Sequence, residues 1–279
     1  MIDKIQNYIS QNYCVKHVSL NFNKDKAEKI FKDNVITYFS SYRYESPGYL
    51  NDPYEINLEF KKKDQFSGYL RNPIEVRTCL LQLANWVMDI VLDLKVTEAK
   101  QEAVLLGNIN NIFTQTLVSK QLGAVRVGIG QRSFGSTRIQ IVKKETVQTV
   151  YPTIFNLSSG EAAMFCLFGE ILRQADNNKN NILLEGITGI VLVDEVDKHL
   201  HIKLQKEILP KLLDISPNVQ FILSSHSPFL NMGLAAVAKE RAKIVELNNF
   251  GVSMDPTANE LYDEVYKMMI SENDRFKEA

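Results

Sequence analysis

The sequence has few cysteines, no long apolar run and no excess of charge of either sign. Its three cysteines, Cys14, Cys79 and Cys166, lie far apart and outside any CxxC pair. This number and spacing argue against a disulfide framework or a zinc site and are typical of buried thiols in a reducing compartment. No stretch approaches the roughly 18 apolar residues of a membrane span, and the N-terminus has no signal pattern. We therefore expect a cytoplasmic protein with no membrane partner.

Charge and composition also limit the class of protein. Lysine and arginine number 32 against 33 aspartates and glutamates, for a net charge of −1, which excludes a basic field over the whole molecule. A local nucleic-acid surface and ordinary solvated faces stay open as interpretations of the basic positions Lys61, Lys62, Lys63, Arg126, Arg132 and Arg138. With 279 residues, 45% of them hydrophobic, the chain predicts a globular protein, a single domain over residues 1–279.

The order of predicted elements favours an α/β fold. The stretch VITYFSSYR (35–43) is β-branched and aromatic and predicts a buried strand. Apolar spacing of three and four predicts helices over 74–96 and 97–121, the second ended by Gly123. We interpret residues 74–122 as a helical insertion. The stretches GAVRVGIG and STRIQIVKK that follow predict a β-hairpin.

Helices and strands then alternate along the rest of the chain. A helix over about 160–175 precedes the strand GIVLVDE, a helix over about 202–213 and the strand VQFILSSH. A further helix, the strand KIVEL and a terminal helix capped by Thr257 and Glu260 complete the order. Such alternation predicts a parallel sheet covered by helices, with its core over residues 156–247.

The stretch GIVLVDEVDKHLH (189–201) carries two carboxylates at the end of an apolar run. A buried parallel strand that ends in Asp194 and Glu195 delivers both to the carboxyl edge of the sheet, where open α/β sheets bind ligands. In nucleotide hydrolysis Asp194 would hold Mg²⁺, and Glu195 would orient or polarise the attacking water. A strand that ends in a solvated acidic turn explains this stretch equally well.

The stretch VQFILSSHSP (219–228) is a second buried strand that ends in polar residues. Its His226 follows Asp194 by 32 positions (226 − 194), a spacing that fits a helical crossover to a neighbouring strand. His226 would then lie beside the carboxylates and could donate a hydrogen bond to a phosphate oxygen. The alternative is a structural histidine at a strand end.

The stretch NLSSGEAAMF (156–165) begins a helix. Ser158 or Ser159 can cap this helix at Gly160, and Glu161 in the first turn suits the positive end of the helix dipole. Two small hydroxyls and a glycine also leave main-chain amides approachable, as an anion site at a helix N-terminus requires. An ordinary N-cap accounts for the same residues, so both interpretations stay open.

Together these motifs resemble those of ABC-type AAA ATPases of the SMC/RecF/OLD branch, which includes DNA-repair ATPases and ATPase subunits of anti-phage systems. LSSGE is similar to the family's signature motif, IVLVDE to its Walker B strand, VDKHLH to its D-loop and SSHSP to its switch-histidine loop. YFSSYR and the helical insertion also fit this branch. The resemblance implies a P-loop NTPase-like fold, that of an ABC ATPase head, with ATP and Mg²⁺ as cofactors.

The resemblance also implies roles for single residues. In such ATPases two domains meet head to tail around two ATP molecules, in a homodimer or with a longer ATPase partner; a DNA or nuclease partner stays open. Asp194 resembles the Mg²⁺-associated aspartate, Glu195 the catalytic glutamate, Asp197 the D-loop residue that communicates across the dimer, and His226 the γ-phosphate sensor. The residues that would contact ATP held by the other subunit are Ser158, Ser159 and Gly160.

One part of the family pattern is absent from the sequence. It contains no G-x-x-x-x-G-K-[ST] and no Gly-Lys dipeptide, so it lacks the Walker A loop that wraps the β-phosphate. The glycine cluster GIGQRSFGS (128–136) has no lysine and lies between hairpin strands. We expect that the first strand, P-loop and helix unit is missing, because the chain begins downstream of it or has lost it. Independent ATP hydrolysis is then doubtful.

Two further functions stay open on the sequence alone. A non-catalytic interaction subunit could lend its signature helix to an intact ATPase partner, and the missing Walker A loop favours this idea. A metal-dependent nuclease built on Asp194, Glu195, His199 and His201 is disfavoured. The motif HLH places its two imidazoles two residues apart, and no further acidic cluster accompanies them.

Overall fold

Helices and short strands alternate along the part of the chain that the computed structural model describes, which is residues 23–41, 43, 76, 80–97, 100–131, 138–178, 182–238, 240–246 and 251–253. The strands are β1 (Val35–Phe39), β2 (Val125–Ile129), β3 (Ile139–Lys143), β4 (Thr149–Tyr151), β5 (Gly189–Val193), β6 (Val219–Leu223), β7 (Ile244–Glu246) and β8 (Gly251–Ser253). The α-helices are α1 (Lys24–Asp33), α2 (Leu80–Val96), α3 (Lys100–Thr116), α4 (Ser159–Asn177), α5 (Leu209–Asp214) and α6 (Pro228–Val237).

A parallel sheet with the strand order β1-β5-β6 carries two of the sequence motifs at its edge. Its register places Phe39 beside Val193, and Val193 beside Leu223, so the three strands stop at the same level. The residues that follow each strand therefore meet at one edge. The predicted α/β fold, a parallel sheet flanked by helices, is confirmed.

The sheet buries one of its two faces more completely than the other. Val35 and Phe39 on β1 are buried, as are Val191 and Val193 on β5, and helix α4 packs against β1. Because side chains alternate between faces along a strand, Ile36, Tyr38 and Leu192 point the other way and are half-buried. The strand predicted from VITYFSSYR is confirmed over its first five residues, Val35–Phe39.

Three helices form the largest part of the core. Helices α2, α3 and α4 pack against one another, and α3 also packs against β2. Phe113 on α3 stacks on Phe165 of α4, with ring centroids 4.3 Å apart. Both predicted helices before the hairpin form, within narrower bounds than expected. Val76, predicted inside the first helix, lies outside α2 and donates its amide to the Tyr38 carbonyl at 2.9 Å. Helix α3 ends earlier than expected. Its last turn gives way to a 3-10 turn over Val118–Lys120, after which Gln121 adopts a left-handed conformation.

A second sheet is antiparallel, with the order β2-β3-β4. The predicted hairpin is confirmed, since Val125 pairs with Lys143 and Ile129 with Ile139. Strand β4 was not predicted, because three residues are too few to show an alternating pattern. It matters for the site because it ends at Tyr151, close to the beginning of α4.

The helix predicted over about 202–213 is interrupted. The chain makes a wide π-helical turn over Leu204–Ile208 before α5 begins at Leu209. Pro210 explains the change of pitch, because a proline has no N–H to donate to the carbonyl four residues earlier, here that of Lys206. Helix α6 packs against this turn and against α5.

The strand predicted at KIVEL forms, but it does not join the parallel sheet. Strand β7 pairs instead with β8 as an antiparallel two-stranded ribbon. Only four residues separate the two strands, and such a short connection favours a hairpin over a crossover. The terminal helix with Thr257 and Glu260 lies outside the described residues, as do Cys14 and Cys79.

Candidate functional site

The N-terminus of α4 is closed by a reciprocal cap. Ser158 Oγ accepts from the Glu161 amide at 3.4 Å, and the Ser158 amide donates to Glu161 Oε2 at 2.8 Å. This capping box follows from the sequence S-x-x-E, which satisfies two main-chain donors at the helix start. Ser158 is thus the cap, and Ser159 opens the helix one residue before the predicted start. Both serines are exposed to solvent.

Glu161 has partners beyond the cap. Its side chain is 5% exposed and forms an ion pair with Lys120 at 2.6 Å, and Tyr151 Oη donates to its Oε2 at 3.1 Å. Burial by itself raises the pKa of this carboxyl, but hydrogen bonds from Lys120 and Ser158 outweigh it, so the pKa lies below its ordinary value. Partial burial by itself lowers the pKa of Lys120, but hydrogen bonds to Glu161 and Tyr151 outweigh it, so the pKa lies above its ordinary value. Glu161 thus joins the start of α4 to the end of strand β4.

Gly160 is buried against the loop that follows the carboxylates. A Cβ added at this position would lie 2.6 Å from Leu204 Cδ1 and 3.2 Å from the carbonyl oxygen of His199. The lack of a side chain at Gly160 is therefore used for packing within the chain. The role predicted for Gly160 toward a nucleotide stays a prediction.

The carboxylates Asp194 and Glu195 lie directly after β5, at the shared edge of the parallel sheet. The Asp194 amide donates to the Phe39 carbonyl at 2.9 Å, which continues the pairing of β5 with β1. On the other side, Ser224 Oγ donates to Asp194 Oδ1 at 2.6 Å and accepts from the Glu195 amide at 2.8 Å. Ser224 is thus the residue at the end of β6 that contacts both carboxylate positions.

Glu195 has an unusual backbone conformation. Its φ angle is +47°, in the left-handed region that costs a residue with a Cβ roughly 1–2 kcal/mol. Its carboxylate lies 3.3 Å from Lys198 Nζ, and the same ammonium donates to the Ser41 carbonyl at 3.0 Å. The strained turn therefore needs support from its surroundings.

Arg43 supplies much of that support, and it was not singled out from the sequence. Its side chain is buried; Nη1 donates to the Asp194 carbonyl at 2.6 Å and Nη2 to the Glu195 carbonyl at 3.0 Å. A signal was present, because Arg43 ends the stretch VITYFSSYR, whose strand was expected to be buried. Which strand it would lie beside was not predictable from that stretch.

The two remaining predicted residues are less closely tied to the carboxylates. His226 is exposed and lies two residues beyond Ser224, in the segment between β6 and α6. Asp197 is half-buried, and within the described part of the chain its Oδ1 atom has no hydrogen-bond partner. The proposed roles of His226 and Asp197 toward a nucleotide stay predictions.

The oxygen atoms at this edge suit a divalent cation of the magnesium type. The carboxylates of Asp194 and Glu195 and the hydroxyl of Ser224 are hard oxygen donors, which Mg²⁺ prefers, and all three side chains are at least partly exposed. The donor set is thus compatible with Mg²⁺ held between the chain and a phosphate. Among the described residues no group of three or more His, Cys, Asp or Glu side chains is placed to hold a metal by itself.

Two of the basic positions considered for a nucleic-acid surface lie in the described part of the chain. Arg126 Nη1 donates to the Val127 carbonyl at 3.1 Å, and Arg138 Nε donates to the Gly130 carbonyl at 3.1 Å. Both guanidinium groups are therefore engaged with the hairpin backbone. Arg132 and the lysines at 61–63 lie outside the described residues. No helix in the described ranges reaches the length and apolarity of a membrane span.

Comparison with known proteins gives matches over parts of the chain. Residues 133–233 match the family described as "AAA domain, putative AbiEii toxin, Type IV TA system". The chain is 44% identical over 110 residues to "Retron Vc95 probable ATPase" of Vibrio cholerae serotype O1 biovar El Tor, a match that covers 38% of this chain and 21% of that protein. It is 30% identical over 154 residues to "Septu protein PtuA" of Bacillus mycoides (strain KBAB4), covering 46% of this chain and 21% of that protein.

Among solved structures, the chain resembles the "SMC head domain from Thermotoga maritima" at 17% identity and a TM-score of 0.32, over 54% of this chain and 44% of that one. The matches to the two curated relatives span about a fifth of the length of each, 21% in both cases. The residues that match the family, 133–233, contain the motifs at the ends of β5 and β6.

Proposed function

We propose that this chain, which carries an AAA-type ATPase-related domain of the SMC/RecF/OLD kind, hydrolyses ATP at a head-to-tail dimer interface in an anti-phage defence system. The observation that carries the proposal is the position of Asp194 and Glu195. Both follow the central strand of the parallel sheet, and Ser224 of the neighbouring strand bonds to both. The names of the retron and Septu relatives support a defence context, and a role in DNA repair is a weaker alternative.

In the proposed reaction the carboxylates have separate tasks. Asp194 would hold Mg²⁺ directly or through water, and the ion would supply positive charge that offsets the charge of the phosphates. Glu195 orients the attacking water and accepts hydrogen bonds from it. His226 donates a hydrogen bond to the γ-phosphate. Most of the rate enhancement then comes from fixed charges and dipoles around the transferred group.

Residues at the start of α4 act on the nucleotide of the other subunit. Ser158 and Ser159 are exposed at a helix N-terminus, where hydroxyls and amides favour an anion. Gly160 acts indirectly, since it lets α4 pack against the loop after the carboxylates. Asp197 in that loop then links the two sites across the dimer.

A second function is favoured by one observation, the exposure of Ser158 and Ser159 at the N-terminus of α4. The chain would then be a non-catalytic subunit that completes the ATP site of an intact partner ATPase. Under this alternative the serines at the start of α4 matter, and the carboxylates at 194 and 195 do not.

Steady-state ATP hydrolysis distinguishes the two functions. The purified chain, alone and mixed with a longer ATPase relative, is compared with Glu195→Gln and Ser159→Arg. The control is Glu185→Gln, which changes an exposed carboxyl elsewhere. The first function predicts at least a 100-fold loss of turnover in Glu195→Gln. The second predicts no turnover by the chain alone, stimulation of the partner, and loss of that stimulation only in Ser159→Arg. If neither appears, both proposals fail.

The defence context has its own test. Cells that carry the wild-type chain in its genetic neighbourhood should resist phage, and Glu195→Gln or Ser159→Arg should reduce the resistance by at least tenfold in plaque counts. Equal plaque counts with and without the wild-type chain would contradict a role in defence, whatever the ATPase result.

A further inference from the structure

We infer that Arg43 is a positioning residue, which fixes the backbone of Asp194 and Glu195 in the conformation that the site needs. Its guanidinium donates to the carbonyls of both residues, at 2.6 Å and 3.0 Å, and to the Ser40 carbonyl at 3.2 Å. The residue is 1% exposed. This inference rests on the proposed function for its meaning in catalysis.

The type of partner is informative. An arginine is almost never fully buried unless it is paired, because removal of its charge from water is costly. Arg43 donates to three main-chain carbonyls, two of them on consecutive residues. A planar guanidinium has several donors in a fixed fork and can hold two carbonyls at once, which a lysine ammonium does less well. The side chain thus fixes the orientation of the two peptide groups at 194 and 195.

That orientation is one that the chain would otherwise avoid. Glu195 has a φ angle of +47°, and without support a glutamate favours negative φ. The Glu195 side chain leaves the backbone in a direction set by this conformation. If the carbonyls at 194 and 195 were released, the turn would relax and the carboxylate would move away from its present position beside Lys198.

Other contacts join the same two segments. The Asp194 amide donates to the Phe39 carbonyl at 2.9 Å, and Lys198 Nζ donates to the Ser41 carbonyl at 3.0 Å. The chain just after β1 therefore holds the carboxylate loop from one side, while Ser224 holds it from the other. Arg43 is the member of this group that bonds to both carboxylate residues from the β1 side.

Hydrogen exchange of the full chain without nucleotide tests the inference. The variants are Arg43→Lys and Arg43→Met, and the control is Arg173→Met, which removes an arginine that pairs with Glu170 at 2.7 Å inside α4. We expect amides in the loop at 194–200 to exchange at least tenfold faster in both Arg43 variants, beyond any change in the α4 amides. In Arg173→Met the α4 amides should be affected instead. Equal loop protection in Arg43→Lys and wild type would overturn the inference.

Two further readouts keep the test informative. A crystal structure of Arg43→Lys should show Glu195 at negative φ, and retention of φ near +47° would contradict the inference even if Arg43→Met fails to fold. Where the chain or its complex hydrolyses ATP, Arg43→Lys should lower kcat at least tenfold with little change in KM. If Glu195→Gln leaves hydrolysis unchanged, the proposed function fails, but the exchange result on Arg43 stands or falls independently.

Discussion

Replacement of Glu161 tests how the start of α4 is held. Glu161→Ala removes the acceptor for the Ser158 amide and for Tyr151 Oη, and it removes the ion pair with Lys120. Two hydrogen bonds to a largely buried carboxylate contribute about 1–1.5 kcal/mol each after exchange with water. The ion pair adds at most about 1 kcal/mol, because the Lys120 side chain is 43% exposed. We therefore expect a loss of about 3 kcal/mol in the free energy of unfolding.

Glu161→Gln removes the charge of the side chain but keeps the hydrogen bond that caps the helix. A glutamine can still accept from the Ser158 amide, as in capping boxes of the S-x-x-Q type, so only the charged part of the interaction is lost. We expect Glu161→Gln to lower the free energy of unfolding by about 1 kcal/mol. Urea denaturation at pH 7, followed by circular dichroism, measures both variants. The control is Glu185→Gln, an exposed carboxyl that should change stability by less than about 0.5 kcal/mol.

The pH dependence of stability tests the direction in which folding changes the pKa of Glu161. The pKa of Glu161 is below its ordinary value of 4.5 in the folded chain, so the unfolded chain binds the proton first. The advantage of wild type over Glu161→Gln is then fully present above about pH 4.5 and is lost as the pH falls through the folded pKa. An advantage that is absent at pH 7, or that grows as the pH falls, would refute the reasoning.

The remaining predictions concern packing, and urea denaturation measures each. In Gly233→Ala the new Cβ would lie 2.2 Å from the Lys206 carbonyl oxygen, so we expect a loss of about 2–3 kcal/mol. The matched control Gly107→Ala, on α3 with nothing within 4 Å, should stabilise by about 0.5–1 kcal/mol; equal effects would contradict the close approach at Gly233. Phe165→Leu should lower the free energy of unfolding by about 1.5–3 kcal/mol. A double-mutant cycle with Phe113→Leu should give a coupling energy of about 0.5–1.5 kcal/mol between the two rings. No coupling would argue against the stack.

Elements with a strong local pattern were predicted well. Helix α4 was expected over about 160–175 and spans Ser159–Asn177, because its apolar spacing and its capping box are both local signals. Strands β5 and β6 were expected as buried strands from continuous apolar runs. Each stops two to three residues before the end of the predicted stretch, and β6 is less buried than expected, since Ile222 is 50% exposed. The polar residues that follow them are the ones that form the site edge.

Elements that depend on distant partners were predicted poorly or missed. Strand β7 pairs with β8 instead of the parallel sheet, and β4 was not foreseen. The π-helical turn before α5 follows from Pro210, but only the structure shows that α6 packs against this turn. Likewise, Ser224 was visible in the sequence as one of several polar residues, and only the structure shows that it bonds to Asp194.

The sequence by itself identified the residues that we propose to carry chemistry: two carboxylates after one buried strand, a polar segment after the next, and a capped helix start. These are short stretches in which neighbours in sequence are neighbours in space. The tertiary structure decided how the stretches are held. Arg43 and Asp194 are 151 positions apart in the chain, and Gly160 packs on a loop some forty residues later. Such contacts depend on the register of whole strands and helices, which no local pattern encodes.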